Sequence, residues 1–194
     1  MTYWEEQMAH EPTKDYYEIL KWFSKEMEVG LRVLEFGTGW GISGSAFLDA
    51  GAVELVSIDI NLNTPYGDKA RTEIEKRTGD AKVELVCDKI ENHAKKLIEQ
   101  KRKFDIVYID GDHGYEGCLR DLWLAHELVQ QDGAIILDDF LHVKNLEAAE
   151  EKHKYGIIKA VREYSIKTHK IGMVLPTRVN AFYAISPEKV QPLA

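Results

Sequence analysis

Polar and apolar positions along this chain follow two alternating patterns. Short apolar runs recur, and between them lie longer stretches whose apolar residues fall three or four apart. The runs are LRVLEF (31–36), VELVSIDI (53–60), VELVCD (83–88), FDIVYID (104–110) and GAIILDD (133–139). Runs this short, bounded by turn residues, predict buried strands. The stretches that follow them, ISGSAFLDA, GDKARTEIEKRTG, ENHAKKLIEQKRK, YEGCLRDLWLAHELVQQ and a long one ending near Val161, predict helices. The first thirty residues also read as helix, with Thr13 as N-cap, Tyr16, Ile19, Leu20 and Phe23 at helical spacing, and Gly30 as the stop. The tail breaks the pattern. IGMVLP (171–176) and NAFYAIS (180–186) are joined only by Thr177, Arg178 and Val179, too few residues for a helical crossover, so an antiparallel hairpin is expected.

The whole reads as an α/β chain: a Rossmann-like, doubly wound, mostly parallel seven-stranded sheet with an antiparallel C-terminal hairpin and helices on both faces. No repeat or low-complexity stretch interrupts it, so residues 1–194 are expected to form one domain. Residues 1–30 would be a helical segment serving as a lid or a homodimer contact, with Trp4, Met8 and Trp22 as its burying side chains.

Composition narrows the partners. The net charge of −8 disfavours a nucleic-acid polyanion. Cys87 and Cys118 lie in apolar segments, form no CxxC pair and read as buried small hydrophobes, which suits a reducing cytoplasm. The N-terminus MTYWEEQMAHEPTKD has no apolar signal core, and no run approaches a membrane span. A cytoplasmic protein with a small-molecule partner is expected.

In open parallel sheets ligands bind beyond the carboxyl ends of the strands. The first such end carries Glu35-Phe36-Gly37-Thr38-Gly39-Trp40-Gly41. Its spacing is GxGxG, and Ile42 stands where a nicotinamide-type fingerprint needs Gly or Ala. A pyrophosphate is therefore disfavoured. S-adenosylmethionine has no phosphate, and loop amides, a helix N-terminus and the Ser43 hydroxyl suit its carboxylate. Glu35 would stay near its cationic end. Asp59, ending the second strand, can accept from both ribose hydroxyls, and Asp88, ending the third, would meet the adenine amino group. Trp40 either walls the cofactor or packs beneath the loop.

The fourth and fifth strands end in Asp110-Gly111-Asp112-His113-Gly114-Tyr115 and Asp138-Asp139-Phe140. Asp110, Asp138 and Asp139 would meet at one edge, where packed carboxylates repel unless protonated or bridged by a cation. Three oxygen donors suit a hard divalent ion, chiefly Mg²⁺, that could hold a substrate hydroxyl. Asp112 and His113 compete as the base. Alternatively, Asp112 and the Asp138-Asp139 pair cap helices. Trp123 and His126 read as helix-packing residues. His93, His153 and His169 read as surface, and His142 as a solvated or supporting group. Glu147, Glu150, Glu151, Lys152 and Lys154 read as a solvated helix face.

VLEFGTGWGISG, IDGDHGYEGCLRDL and GAIILDDF together resemble the class I methyltransferase family of macrocin-type sugar O-methyltransferases and cephalosporin-hydroxylase-like proteins, over most of residues 31–140. The resemblance implies a divalent metal on Asp110, Asp138 and Asp139, with Asp112 or His113 as base. It also implies a cofactor over Gly37, Gly39, Gly41 and Asp59, with Asp110 beside it. It differs in size: only residues 1–30 and the loop 61–67 could serve as a substrate lid. The function that follows is metal-assisted O-methylation of a hydroxyl on a small molecule by S-adenosylmethionine. The alternative is a cofactor-binding regulatory or assembly protein without turnover. A non-haem iron hydroxylase would need two His and one carboxylate as ligands, a spacing absent here, and no Asn/Asp-Pro-Pro-aromatic motif of nucleic-acid methyltransferases follows the fourth strand.

Overall fold

The computed structural model describes residues 2–27, 30–141, 156–177 and 181–185. Helices α1 (Tyr3–Ala9) and α2 (Glu11–Met27) lead into β1 (Arg32–Phe36). Strict alternation follows: α3 (Ile42–Asp49), β2 (Glu54–Ile58), α4 (Pro65–Glu75), β3 (Lys82–Val86), α5 (Ile90–Glu99), β4 (Phe104–Ile109), α6 (Tyr115–Leu128) and β5 (Val129–Leu137). Helix α7 (Ile157–Thr168) precedes β6 (Gly172–Pro176) and β7 (Ala181–Ile185). The strands form one sheet in the order β3-β2-β1-β4-β5-β7-β6. Strands β1 to β5 are parallel, and β7 slots antiparallel between β5 and β6. The order reverses between β1 and β4, which opens a crevice at their carboxyl ends.

The side-chain alternation along each strand feeds two cores. Leu34, Phe36, Val107, Ile109, Ile135 and Leu137 face α5, α6 and α7 on one side. Val33, Leu55, Ile106, Tyr108 and Ile136 face α2, α3 and α4 on the other. Both faces are covered, so the strands read as continuous apolar runs rather than as alternating ones.

Several expectations shift. Thr13 is not an N-cap but lies inside α2, which begins at Glu11. The capping box belongs to α1, where Thr2 accepts from the Glu5 amide and the Glu5 carboxylate accepts from the Thr2 amide. Helix α6 stops at Leu128, three residues short of the expected end, because Val129 turns extended, is buried and pairs with Phe104. Strand β5 is correspondingly longer at its start. The helix expected to end near Val161 continues to Thr168; its expected earlier part, with His142, His153 and the charge run 147–154, lies outside the described residues. Cys118 is buried as expected, but Cys87 is exposed at the end of β3, its thiol directed at the Ile60 carbonyl. His93 is mostly covered rather than on the surface, with Nε2 3.8 Å from Glu84. Trp4 and Met8 are satisfied within the chain: Trp4 packs edge-on against Tyr17 with the Arg77 guanidinium 3.6 Å from its ring centroid, and Met8 packs on the core. Trp22 is 55% exposed. Among the described residues no helix is long and apolar enough to cross a membrane.

Candidate active site

Two cavities open at the carboxyl ends of the central strands, and Asp110 borders both. The larger, about 680 Å³, runs over the ends of β1, β2 and β3. Its lining includes Gly37, Asp59 and Asn61, then Lys89 and Ile90, then Asp112 and His113. Gly37 makes the close approach possible. Its φ is +94°, and a Cβ there would run into the Asp110 carbonyl. Only glycine tolerates both conditions. Gly39 (φ +50°) donates its amide to Asp59 Oδ2 at 3.1 Å, and the Asn61 amide donates to Oδ1 at 2.7 Å. The carboxylate of β2 is thereby fixed against the loop of β1. Gly41 (φ +77°) lines neither cavity but caps α3, where a Cβ would press within 2.9 Å of the Ala70 carbonyl.

The smaller cavity, about 310 Å³, has Asp110, Asp138 and Asp139 at its floor. Thr38, Gly39, Trp40, Ile42 and Ser43 form one wall, with Tyr66 beside them. Gln7, Pro12, Thr13 and Tyr16 from α1 and α2 also line it. Both segments expected as lid therefore border this cavity. Trp40 walls it rather than packing beneath the loop: it is 41% exposed and lies between Tyr3 and Tyr66, at ring-centroid distances of 5.2 and 4.2 Å.

Three nominated acids sit elsewhere than expected. Glu35 lies wholly buried beneath the glycine loop, accepting from the Ser43 and Ser57 hydroxyls, and reaches neither cavity. Burial pushes its carboxyl up to about 8, against the pull of the two hydroxyls. It is a neutral strut tying α3 to β1 and β2, not a partner of a cationic ligand. The Ser43 hydroxyl is committed to that strut. Asp88 turns to the first turn of α5, where it accepts from the Lys89 amide, Asn92 and Lys96, so Lys89 and Ile90 stand at the cavity in its place. Asp112 accepts from the Gly114 amide, and its carboxyl packs where a side chain on Gly117 would stand. It shapes the entry to α6 and, like His113, lines the larger cavity.

The His113 ring lies between two carboxylates, with Nε2 3.4 Å from Asp110 and 3.1 Å from Asp139. Burial alone would lower its pKa, but the hydrogen bonds and charges of the two acids outweigh burial and raise it to about 10. An imidazolium therefore stands where a bridging cation was expected. Asp138 is more deeply set. Its Oδ1 accepts from the Asp139 amide at 2.6 Å and its Oδ2 from the Tyr108 hydroxyl at 3.0 Å. Burial and the charges of Asp110 and Asp139 push its carboxyl well above the usual range. Asp139 itself sits at φ +54°, a left-handed conformation that aspartate tolerates better than most side chains. The donor set thus has the right chemistry for a divalent ion but not the arrangement. Among the described residues no three His, Cys, Asp or Glu are placed to hold a metal. The imidazolium spans two of the expected ligands, and both oxygens of the third are engaged.

Sequence reasoning missed Tyr16 and Tyr108 as site residues. Their hydroxyls hydrogen-bond each other, and Tyr108 passes the chain on to Asp138. Ninety-two positions separate the two tyrosines, so no local spacing could have joined them. The only signal was Tyr108 sharing the strand parity of Asp110.

Solved structures share this architecture. An O-methyltransferase from Bacillus cereus in complex with SAH has 17% identity and a TM-score of 0.68, over 88% of this chain and 80% of that one. SAH-bound methyltransferase PaMTH1 from Podospora anserina has 16% identity and a TM-score of 0.68, over 96% and 86%. The O-methyltransferase TomG from Streptomyces achromogenes, involved in tomaymycin synthesis and in complex with SAM, has 16% identity and a TM-score of 0.64, over 90% and 80%. The fold is thus that of S-adenosylmethionine-dependent methyltransferases, carried by the glycine loop of β1 and the reversed strand order. A family model described as a methyltransferase domain matches residues 34–140, and the chain belongs to that family. No curated protein matches it in sequence.

Proposed function

We propose that this methyltransferase moves the methyl group of S-adenosylmethionine to a hydroxyl oxygen of a small molecule. The observation that carries this reading is Asp110 bordering both cavities, so that a donor in one and an acceptor in the other meet at the carboxyl ends of β1 and β4. When bound, the cofactor supplies an electrophilic methyl on sulfur. Asp59 would hold the ribose hydroxyls, the glycine loop would admit the backbone side of the cofactor, and Lys89 and Ile90 would flank the base. An acceptor held in the smaller cavity would present its oxygen to that methyl, and this chain's residues would align the oxygen and take up its proton. Positioning by two preformed cavities supplies much of the acceleration.

His113, which lines the larger cavity, would take the hydroxyl proton on Nε2 by way of Asp110 or Asp139, whose carboxylates border the smaller cavity. Its two carboxylate neighbours hold it protonated to about pH 10, so the fraction able to accept a proton grows as pH rises. Turnover should climb through the alkaline range and level off near that value. A flat profile between pH 7 and 10 would remove His113 as base. The broader test is S-adenosylhomocysteine release from labelled cofactor across a panel of hydroxylated small molecules. Tight cofactor binding without release on any of them would favour the regulatory alternative.

No step runs through a metal ion. With His113 spanning Asp110 and Asp139, transfer should proceed unchanged in EDTA. A loss of more than about tenfold that Mg²⁺ restores would mean that the acids rearrange around an ion.

A further inference from the structure

Three strands place a row of polar side chains across the sheet face that α2 and α3 cover. Ser57 on β2 and Tyr108 on β4 are both register partners of Glu35 on β1. We infer that Glu35 is a positioning residue for the smaller cavity: through a buried line of hydroxyls, its proton holds the Asp138 carboxyl in one hydrogen-bonded state. The bearing of this on turnover rests on the reading of that cavity as the acceptor site.

The line can be followed group by group. Glu35 meets the hydroxyls of Ser43 and Ser57. Ser57 meets the Thr38 hydroxyl at 2.6 Å. Ser43, in the first turn of α3, also hydrogen-bonds Tyr16 of α2. Tyr16 meets Tyr108, and Tyr108 reaches Asp138 Oδ2 at 3.0 Å. Glu35, Ser57 and Tyr108 are wholly buried, and Thr38, Ser43 and Asp138 are each 8% exposed or less. A polar line buried this deeply is stable only when its members satisfy one another.

Counting protons gives the line its direction. A serine hydroxyl donates once, so Ser43 does not donate to both Glu35 and Tyr16. An ionised Glu35 would claim the protons of both serines and leave Tyr16 without Ser43. Burial, helped by the nearby charges of Asp110 and Asp59, instead keeps Glu35 protonated up to about 8, against the pull of the two serines. The Ser43 contact then turns round. Glu35 donates to Ser43, Ser43 to Tyr16, Tyr16 to Tyr108 and Tyr108 to Asp138, while Ser57 donates to the other oxygen of Glu35. Each hydroxyl from Ser43 to Tyr108 both donates and accepts, so the bonds strengthen one another.

Glu35 lines neither cavity, but Thr38, Ser43, Tyr16 and Asp138 all line the smaller one. Its protonated carboxyl therefore orders donors and acceptors on the wall and the floor together, from beneath the glycine loop.

The test reads Asp138 by carbon-13 NMR of the full chain with carboxyl-labelled aspartate at neutral pH, Asp138→Asn identifying the resonance. Glu35→Gln keeps the line, because its amide donates to Ser43 and its carbonyl accepts from Ser57, so the resonance should stay in place. Glu35→Leu removes the donor and should move it. Ser43→Ala should move it the same way, and adding Glu35→Leu to that variant should move it no further. Unfolding supplies a second measure. Glu35→Leu and Tyr16→Phe cut the same line, so their joint effect on the unfolding constant should fall at least about threefold short of the product of their separate effects; independent sites multiply to within about twofold. A resonance that moves equally in Glu35→Gln and Ser43→Ala, or in neither, overturns the inference even if Glu35→Leu does not fold. So does independence of Glu35→Leu and Tyr16→Phe. Failure of S-adenosylhomocysteine to bind the unaltered chain is a different result and overturns the acceptor-site reading, leaving the Asp138 result intact.

Discussion

The two cavities are built by different means. The larger is founded on backbone, where the loop of β1 meets the ends of β2 and β4. Its floor comes from Gly37 at positive φ, from strand ends held in parallel register, and from Asp59 pinned by two amides. The smaller is made of side chains that converge from α1, α2, the loop after β1, the start of α4 and the ends of β4 and β5. A backbone cavity belongs to the fold and follows the family. A side-chain cavity can be rebuilt one substitution at a time without disturbing the sheet. The donor half of the reaction should therefore be rigid and common to relatives, and the acceptor half particular to this chain.

That contrast can be broken at three points. The largest effect is expected at the junction. His113→Ala should lower turnover by about 10² to 10⁴, as loss of an acid–base group does, with cofactor affinity within a few-fold, measured by single-turnover transfer and by calorimetry. A turnover loss matched by an equal loss of cofactor affinity would make His113 a cofactor-holding residue rather than the base. Next comes the backbone cavity. Gly37→Ala puts a Cβ into the Asp110 carbonyl at φ +94°. It should lower stability by at least about 2 kcal/mol and abolish cofactor binding, read from thermal unfolding and titration. If that variant binds normally, the cavity is not set by backbone. The smallest effect sits under the loop. Glu35 has its carboxyl raised from the usual 4.5 to about 8. Below pH 4.5 it is neutral in both folded and unfolded chains. Between those values the unfolded chain ionises first, so folding takes up a proton and stability falls as pH rises, with the loss complete above pH 8. Glu35→Gln should flatten this part of the stability–pH curve and be relatively more stable at pH 8.5 than at pH 5. An unchanged slope would mean that Glu35 is ionised in the folded protein.

How much of this was legible differs between the same two regions. The strand ladder could be read because strands buried on both faces give short apolar runs, and the glycine loop because GxGxG is local. The mostly parallel sheet with its antiparallel C-terminal hairpin, and Asp59 at the end of the second strand, followed from those; the seating of β7 between β5 and β6 did not. What escaped depended on side-chain direction. Asp88 stands at the expected strand end yet turns outward to the first turn of α5, and Glu35 stands beside the loop yet points beneath it. Strand parity could have warned of the second, since Glu35 falls between the inward-facing Leu34 and Phe36 and so shares the face of Val33, under α3. The meeting of Asp110, Asp139 and His113 was expected, but its charge balance was not: a histidine three positions along the chain closes the gap left for a metal. Tyr16 lay in plain view as a helix-periodic residue. Its role depends on how α2 crosses β4, which no spacing encodes.

The most direct test of the central claim is calorimetric titration of the full chain and of Asp59→Ala with S-adenosylmethionine. One site per chain should appear, with a dissociation constant between about 1 µM and 1 mM. Asp59→Ala should weaken it by about ten- to a hundredfold through loss of the charged ribose contacts. Absence of binding at millimolar cofactor, or equal affinity in the two proteins, would contradict the placement of a methyl donor over the loop of β1.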